Sequence, residues 1–173
     1  MSGKIGNKIP QVTIGTQTWM LYNLSTTTYR NGDPILTSVS ANGQSSNDSI
    51  YGRQYDWATV TDLRGIAPKG WHVASQAEWT TLRDYVNNTL AGINTLKSTT
   101  LWSTTSGNGT NTTGFTMVPA GINGTLYFGD RAAYWTSTSS TSTNAVWVQV
   151  IITATISSQA KINKFSVRCI KDY

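Results

Sequence analysis

The stretch Ala145-Val-Trp-Val-Gln-Val-Ile-Ile-Thr-Ala-Thr-Ile-Ser-Ser-Gln-Ala160 decides how the chain is read, because its first half alternates without a polar face. Val146, Val148, Val150 and Ile152 fall on one side of an extended strand, and Trp147, Gln149, Ile151 and Thr153 on the other. A strand covered on one side shows water a polar face. This one is either buried on both sides or carries a second apolar face for a partner.

Working outward, Phe165 to Lys171 has an apolar strand pattern. Phe115-Thr-Met-Val118, Leu126-Tyr-Phe128 and Tyr134-Trp-Thr-Ser are short strand-like runs between polar turns. Short strands at close spacing predict an antiparallel C-terminal half. Ser75-Gln-Ala-Glu78 is a capping box, in which hydroxyl and carboxylate each satisfy an exposed backbone N–H. Trp79, Leu82 and Val86 follow as one apolar stripe, so a helix packed on a sheet is predicted here. A second short helix is predicted over residues 89–97. Val12 to Leu21 reads as a hairpin about Gly15-Thr16, and the turn-rich segment from Thr26 to Asp48 as an irregular excursion.

The 173 residues fit one domain over 1–173, with 1–11 as a flexible N-terminus. Only 12% of residues are charged, against about a quarter in ordinary domains, and Ser, Thr, Asn and Gly supply the polarity instead. The net charge of +5 is spread over Arg30, Arg53, Arg64, Arg83 and Arg131, so no nucleic-acid patch is expected. Lys161, Lys164, Arg168 and Lys171 read as solvated or core-bracing charge. Cys169 is the single cysteine, so no internal disulfide can form, and its apolar strand context reads as a buried inert thiol. Met1-Ser-Gly-Lys-Ile-Gly lacks a secretion-signal core and no stretch reaches membrane-spanning length, so membrane insertion is not expected.

Catalytic and metal chemistry find little to work with. His72 lies between apolar neighbours and reads as a satisfied core histidine, and Glu78 is occupied as a cap. Zinc sites need several thiolates or imidazoles at set spacing. Calcium needs converging oxygens, whereas Asp33, Asp48, Asp56, Asp62, Asp84 and Asp130 are dispersed. The chain is therefore expected to be no enzyme and to need no cofactor or metal.

Ordered blocks do point to a family: Ile14-Gly-Thr-Gln-Thr-Trp-Met with Asn23-Leu24, Tyr51-Gly-Arg-Gln-Tyr-Asp-Trp57, Ala67-Pro-Lys-Gly-Trp-His-Val73, Ala77-Glu-Trp-Thr-Thr-Leu82, Gly114-Phe-Thr-Met-Val-Pro-Ala-Gly121, Tyr134-Trp-Thr-Ser-Thr138 and Phe165-Ser-Val-Arg-Cys-Ile-Lys-Asp172. From Val12 to Asp172 the chain resembles the Fibrobacter succinogenes major paralogous domain. Leu21-Tyr22 departs from the family's common Ala-Glu, and Ala74 from its usual Pro. The resemblance implies an α+β, C-type lectin-like fold: two helices, small antiparallel sheets and long loops. The acidic-amide motifs of calcium-dependent sugar binding and the cysteine pair of formylglycine-generating enzymes are both missing.

The resemblance further implies a variable protein of a diversity-generating retroelement, on a virion or cell surface. Its variable block would cover about residues 134–163, before the final Phe-Ser-Val-Arg-Cys strand. The ligand-binding residues expected on that basis are Tyr134, Asn144, Trp147, Gln149, Ile151, Thr153, Thr155, Ser157, Ser158 and Gln159. Trp147 and the residues in register with it would face outward, and the valines inward. The partner would be a protein or cell-surface ligand. The alternatives are an undiversified adhesin or structural surface domain, and for Trp147 itself burial under a loop in a strand covered on both sides.

Overall fold

The computed structural model describes residues 8–173. The flexible segment expected over 1–11 lies outside the described residues as far as residue 7, and Gln11 already pairs in the first strand. That strand, β1 (Gln11–Ile14), forms the expected hairpin with β2 (Gln17–Met20), and the turn uses Gly15 at φ 59. The excursion after it is irregular apart from the two-residue β3 (Val39–Ser40) and short turns. Next come α1 (Asp48–Tyr51), β4 (Arg53–Tyr55), α2 (Trp57–Val60) and β5 (Trp71–Val73). The chain continues through α3 (Gln76–Tyr85), α4 (Leu90–Asn94), β6 (Ala132–Ser139), β7 (Asn144–Val150), β8 (Ala154–Ala160), β9 (Phe165–Ser166) and β10 (Cys169–Lys171). The strands make two sheets, one ordered β1-β2-β10-β5 and the other β3-β4-β9-β6-β7-β8, so the class is α+β with few helices and small sheets.

Local expectations hold where a local device decides them. Ser75 and Glu78 close the capping box on α3, and Trp79 and Leu82 turn into the core. Thr89 caps α4 by accepting from Gly92 N–H at 3.1 Å. Three expected strands differ. Residues 115–118 run irregularly, with one isolated bridge from Lys97 to Met117, and 126–128 form a turn bridged by Ile122 and Leu126. The run from Phe165 to Lys171 splits at Val167-Arg168, β9 joining one sheet and β10 the other. The C-terminal half is also not wholly antiparallel, since β9 lies parallel to β6.

Arg168, at that split, is fully buried. Its Nη1 lies 2.9, 2.8 and 2.8 Å from the carbonyls of Met20, Leu21 and Phe115, and its Nε and Nη2 donate to Asn23 Oδ1 at 3.0 and 2.8 Å. The guanidinium lies over the Phe115 ring at 4.4 Å. No carboxylate is among these partners. Burial pulls the pKa down from the ordinary guanidinium value, but arginine keeps its proton in proteins, so carbonyl dipoles and a ring face hold the charge. Gly52 lets the chain pass beside this cage: at φ 71, an added Cβ would meet Asn23 Cβ at 2.6 Å.

Two hydrophobic clusters lie on opposite sides of β6 and β7. One joins Trp19, Trp79, Leu82, Phe115 and Tyr134 with Val148 and Val150; the other joins Tyr55, Trp71, Val73, Trp135, Phe165 and Val167 with Ala145 and Trp147. Trp71, Trp79, Trp135, Phe165 and Val167 are buried as the alternation and aromatic blocks imply. The expected outward position of Trp147 is corrected. Its ring stacks on Phe165 at 4.7 Å between centroids and it is 7% exposed, so β7 is covered on both sides. Ile152, on the valine side of the alternation, is exposed in the turn after β7.

His72 is satisfied, but not in the core. It sits at the sheet surface, with Nδ1 2.7 Å from Asp172 Oδ1 and Nε2 2.8 Å from Glu78 Oε1. Burial opposes charging of the ring, yet the hydrogen bonds to Asp172 and Glu78 outweigh it and raise the pKa above the ordinary histidine value. A pKa raised in the folded state means stability that is fully present below about pH 6.5 and is lost as pH rises through the folded value. Urea titrations across that interval should therefore show the native state weakening with pH, and His72→Gln should flatten this slope; an unchanged slope contradicts the clamp. Trp147→Ala should cost about 3–5 kcal/mol in equilibrium unfolding, as expected of a large core aromatic, and a loss below about 1 kcal/mol would place the ring at the surface instead.

Candidate functional site

The register of β7 and β8 decides which side chains share a surface. Trp147 pairs with Ser157, Gln149 with Thr155 and Ala145 with Gln159, so Gln149, Thr155, Ser157 and Gln159 lie on the face that carries Trp147. Phe165 and Trp135 seal the inner part of that face. Toward the sheet edge it opens: Thr155 and Ser157 are exposed, and Gln149 and Gln159 are half-buried.

Side-chain hydrogen bonds fix the rim of this opening. Arg131 Nη1 donates to Gln149 Oε1 at 2.7 Å, and its guanidinium lies 3.9 Å from the centre of the Tyr127 ring. On the other flank Asn123 donates to Asn163 at 3.1 Å and Asn163 to Gln159 at 3.3 Å, a short chain of amides. Tyr127 and Leu126 are both exposed beside it. The resulting patch combines hydroxyls, amides, one aromatic ring and one cation. Gln54, buried in β4, holds the loop beneath it, donating to Ala120 O at 2.7 Å and accepting from Gly124 N–H at 2.6 Å.

The turn between β7 and β8 is anchored from behind. Lys97 Nζ donates to Ile151 O at 3.2 Å and Ser106 O at 2.6 Å, and lies 4.0 Å from the Trp102 ring. Desolvation pushes the Lys97 pKa down to about 8. The carbonyls and ring face favour the charged form at the same place, so Lys97 acts as a caged cation that pins the turn.

Of the expected ligand residues, Gln149, Thr155, Ser157 and Gln159 come together in this patch. Ile151 and Thr153 sit in the turn beyond it, half-buried and exposed. Asn144 belongs to the opposite hairpin end, where Ser140 and Thr141 N–H donate to its carbonyl at 3.0 and 2.9 Å. Ser158 is exposed on the other face, paired with Val146. Tyr134 and Trp147 are corrected: both are buried, Tyr134 against Trp79 at 4.8 Å and Trp147 against Phe165, so neither can meet a ligand. The rim residues Asn123, Leu126, Tyr127, Arg131 and Asn163 were not read as site residues. The signal for them was the pair of turn dipeptides Asn123-Gly124 and Gly129-Asp130 around the aromatic, which make a loop there and not a strand.

Among the described residues, no group of three or more His, Cys, Asp or Glu is placed to hold a metal ion. Cys169 is buried, and desolvation pushes its thiol up to about 12, which removes it as a nucleophile at neutral pH.

No curated protein and no solved structure matches the chain. The family model described as the Fibrobacter succinogenes major domain matches residues 12–171, which takes in β2 to β10, all of β1 but Gln11, and every rim residue of the patch. The chain belongs to the Fibrobacter succinogenes major domain family.

Proposed function

We propose that the chain is a non-catalytic recognition module that binds a protein or cell-surface ligand through the open half of the β7–β8 face. The observation that carries this reading is the division within that one face: Trp147 is sealed beneath Phe165, while Gln149, Thr155, Ser157 and Gln159 open beside Tyr127. Hydroxyls and amides around a rigid aromatic ring supply adaptable hydrogen bonding at low ordering cost, the chemistry that recognition surfaces favour. Ile151, Thr153 and Ser158 extend the surface around the turn and edge, and Asn144 stands at its far end.

The finer reading is a C-type lectin-like scaffold whose surface is rewritten by adenine-directed mutagenesis, displayed on a virion or cell. Its support is the family and the make-up of Ile151 to Ser158, which holds only Ile, Thr, Ala and Ser, all reachable from adenine-containing Asn codons. Trp147 has a codon without adenine and would stay fixed, as a core residue must. The undiversified adhesin is favoured by a different observation. Gln149 and Gln159 are held by Arg131 and Asn163, and rewriting either would break a rim hydrogen bond.

A library randomised at Gln149, Thr155, Ser157 and Gln159 tests the division. Most members should fold, since Thr155 and Ser157 are exposed and such positions usually contribute within about 0.5 kcal/mol while Gln149 and Gln159 each risk one rim hydrogen bond, and selection against immobilised proteins should yield specific binders. Widespread unfolding across the library would contradict the reading. In the genome, a template repeat that differs from the coding region for residues 134–163 only at adenines separates the diversified surface from the fixed one.

A further inference from the structure

β8 is the outermost strand of its sheet. Lys161 N–H donates to Thr143 O at 2.9 Å, which sets the phase of the antiparallel pair. Thr155, Ser157 and Gln159 turn their main-chain groups toward β7, and Ala154, Ile156, Ser158 and Ala160 turn theirs outward. Two of the outward groups are taken: Ala154 N–H donates to Asn88 Oδ1 at 2.8 Å, and Ala160 C=O accepts from Asn163 N–H at 3.0 Å. The rest have no partner among the described residues: the N–H and C=O of Ile156 and Ser158, the C=O of Ala154 and the N–H of Ala160.

Folded proteins guard such an edge with lysine, proline, a bulge or brevity. β8 has 7 residues, no proline, no charge and an unbroken register with β7. The next cation along the chain, Lys161, is folded away from the edge, donating to the carbonyls of Thr141 and Ser142 at 2.8 and 3.1 Å and lying over Trp57.

We propose that β8 is a homotypic docking edge through which two copies of this chain pair antiparallel, with Ser157 opposite Ser157 of the second copy. In this register Ile156 faces Ser158 of the second copy, and both N–H···O=C bonds of that pair form, twice over by symmetry. Ala154 faces Ala160 of the second copy. There the free N–H of Ala160 meets the free C=O of Ala154. The two groups that would have made the other bond of that pair are those that Asn88 and Asn163 already hold. The donor and acceptor pattern of the edge is thus complementary to itself, and an uncharged strand meets its own kind without like-charge repulsion. This self-match selects a second copy over an unrelated strand.

The pairing would set the Thr155, Ser157 and Gln159 surfaces of two chains side by side on one continuous sheet. That consequence rests on the proposed ligand surface and would give it bivalence; the dimer itself does not depend on it. An interface made of one strand edge falls below the size of a standard stable interface, so the dimer should exchange with monomer.

Sedimentation of the full chain from about 10 µM to about 1 mM, the range of weak association, tests this. The mean mass should rise from 18.8 kDa toward twice that value. Ser158→Pro removes an outward N–H and no bond to β7, and should stay monomeric throughout. Ser158→Lys adds an edge charge at an exposed position, should also stay monomeric, and decides the matter if the proline variant fails to fold. A wild-type chain that remains monomeric at the highest concentration overturns the proposal, as does a dimer that survives the lysine variant. Sedimentation reads the chain without any ligand, so a failed dimer leaves the recognition reading to the randomised library, and a failed library leaves the dimer standing.

Discussion

A cation buried without a counter-charge governs this fold. Arg168 sits where the chain leaves the six-stranded sheet and enters the four-stranded one, between Ser166 in β9 and Cys169 in β10. Its partners come from residues 20–23 at the end of the N-terminal hairpin and from the irregular 115–116 segment, so one guanidinium ties two distant parts of the chain to the joint between the sheets. The arrangement works because an arginine presents several donors in a fixed plane and its charge is spread thinly enough to accept carbonyl oxygens and a ring face as solvent. The carbonyl of Phe115 gains as well, because it is buried and the guanidinium supplies it with a donor.

The joint explains how a chain with few charges and little helix builds two cores. With the sheets fixed against each other, β6 and β7 are covered on both sides, by the Trp19–Trp79–Phe115 aromatics on one and by Trp135, Phe165 and Trp71 on the other. β8, at the edge, faces water with Thr155, Ser157 and Ser158 exposed and Gln159 half-buried. The rigid part of the β7–β8 hairpin and its polar part are thus adjacent strands in register. The exposed side chains of Thr155 and Ser157 lie on β8, one strand away from the core ring of Trp147 in β7.

Features set by neighbouring residues were legible in the sequence: the Ser75–Glu78 cap, the Trp79 and Leu82 stripe, the Gly15 turn, and the two apolar faces of the stretch from Ala145. Which face is covered was not, because the ring that covers Trp147 belongs to Phe165, beyond β8 and the turn that follows it, and alternation carries no record of it. Outward placement of Trp147 was the wrong choice between two physically open readings. The split of Phe165 to Lys171 was hidden for a similar reason: strand periodicity runs through Arg168, and only the buried carbonyl cage turns the chain there from one sheet to the other. Leu126-Tyr-Phe128 has strand composition, but Tyr127 takes φ 56 and closes a turn that Gly121 permits, since a Cβ at Gly121 would lie 2.4 Å from Leu126 O.

If the Arg168 cage holds the two sheets together, equilibrium unfolding of Arg168→Met in urea will register its loss. Methionine fills much of the volume but donates nothing, leaving the carbonyls of Met20, Leu21 and Phe115 and the Asn23 amide oxygen without donors. Stability should fall by at least about 3 kcal/mol, or cooperative folding should be lost altogether, as expected when one side of a buried charged network is removed. A variant that unfolds cooperatively within about 1 kcal/mol of the parent would contradict that role of Arg168, and would mean that apolar packing alone joins the sheets.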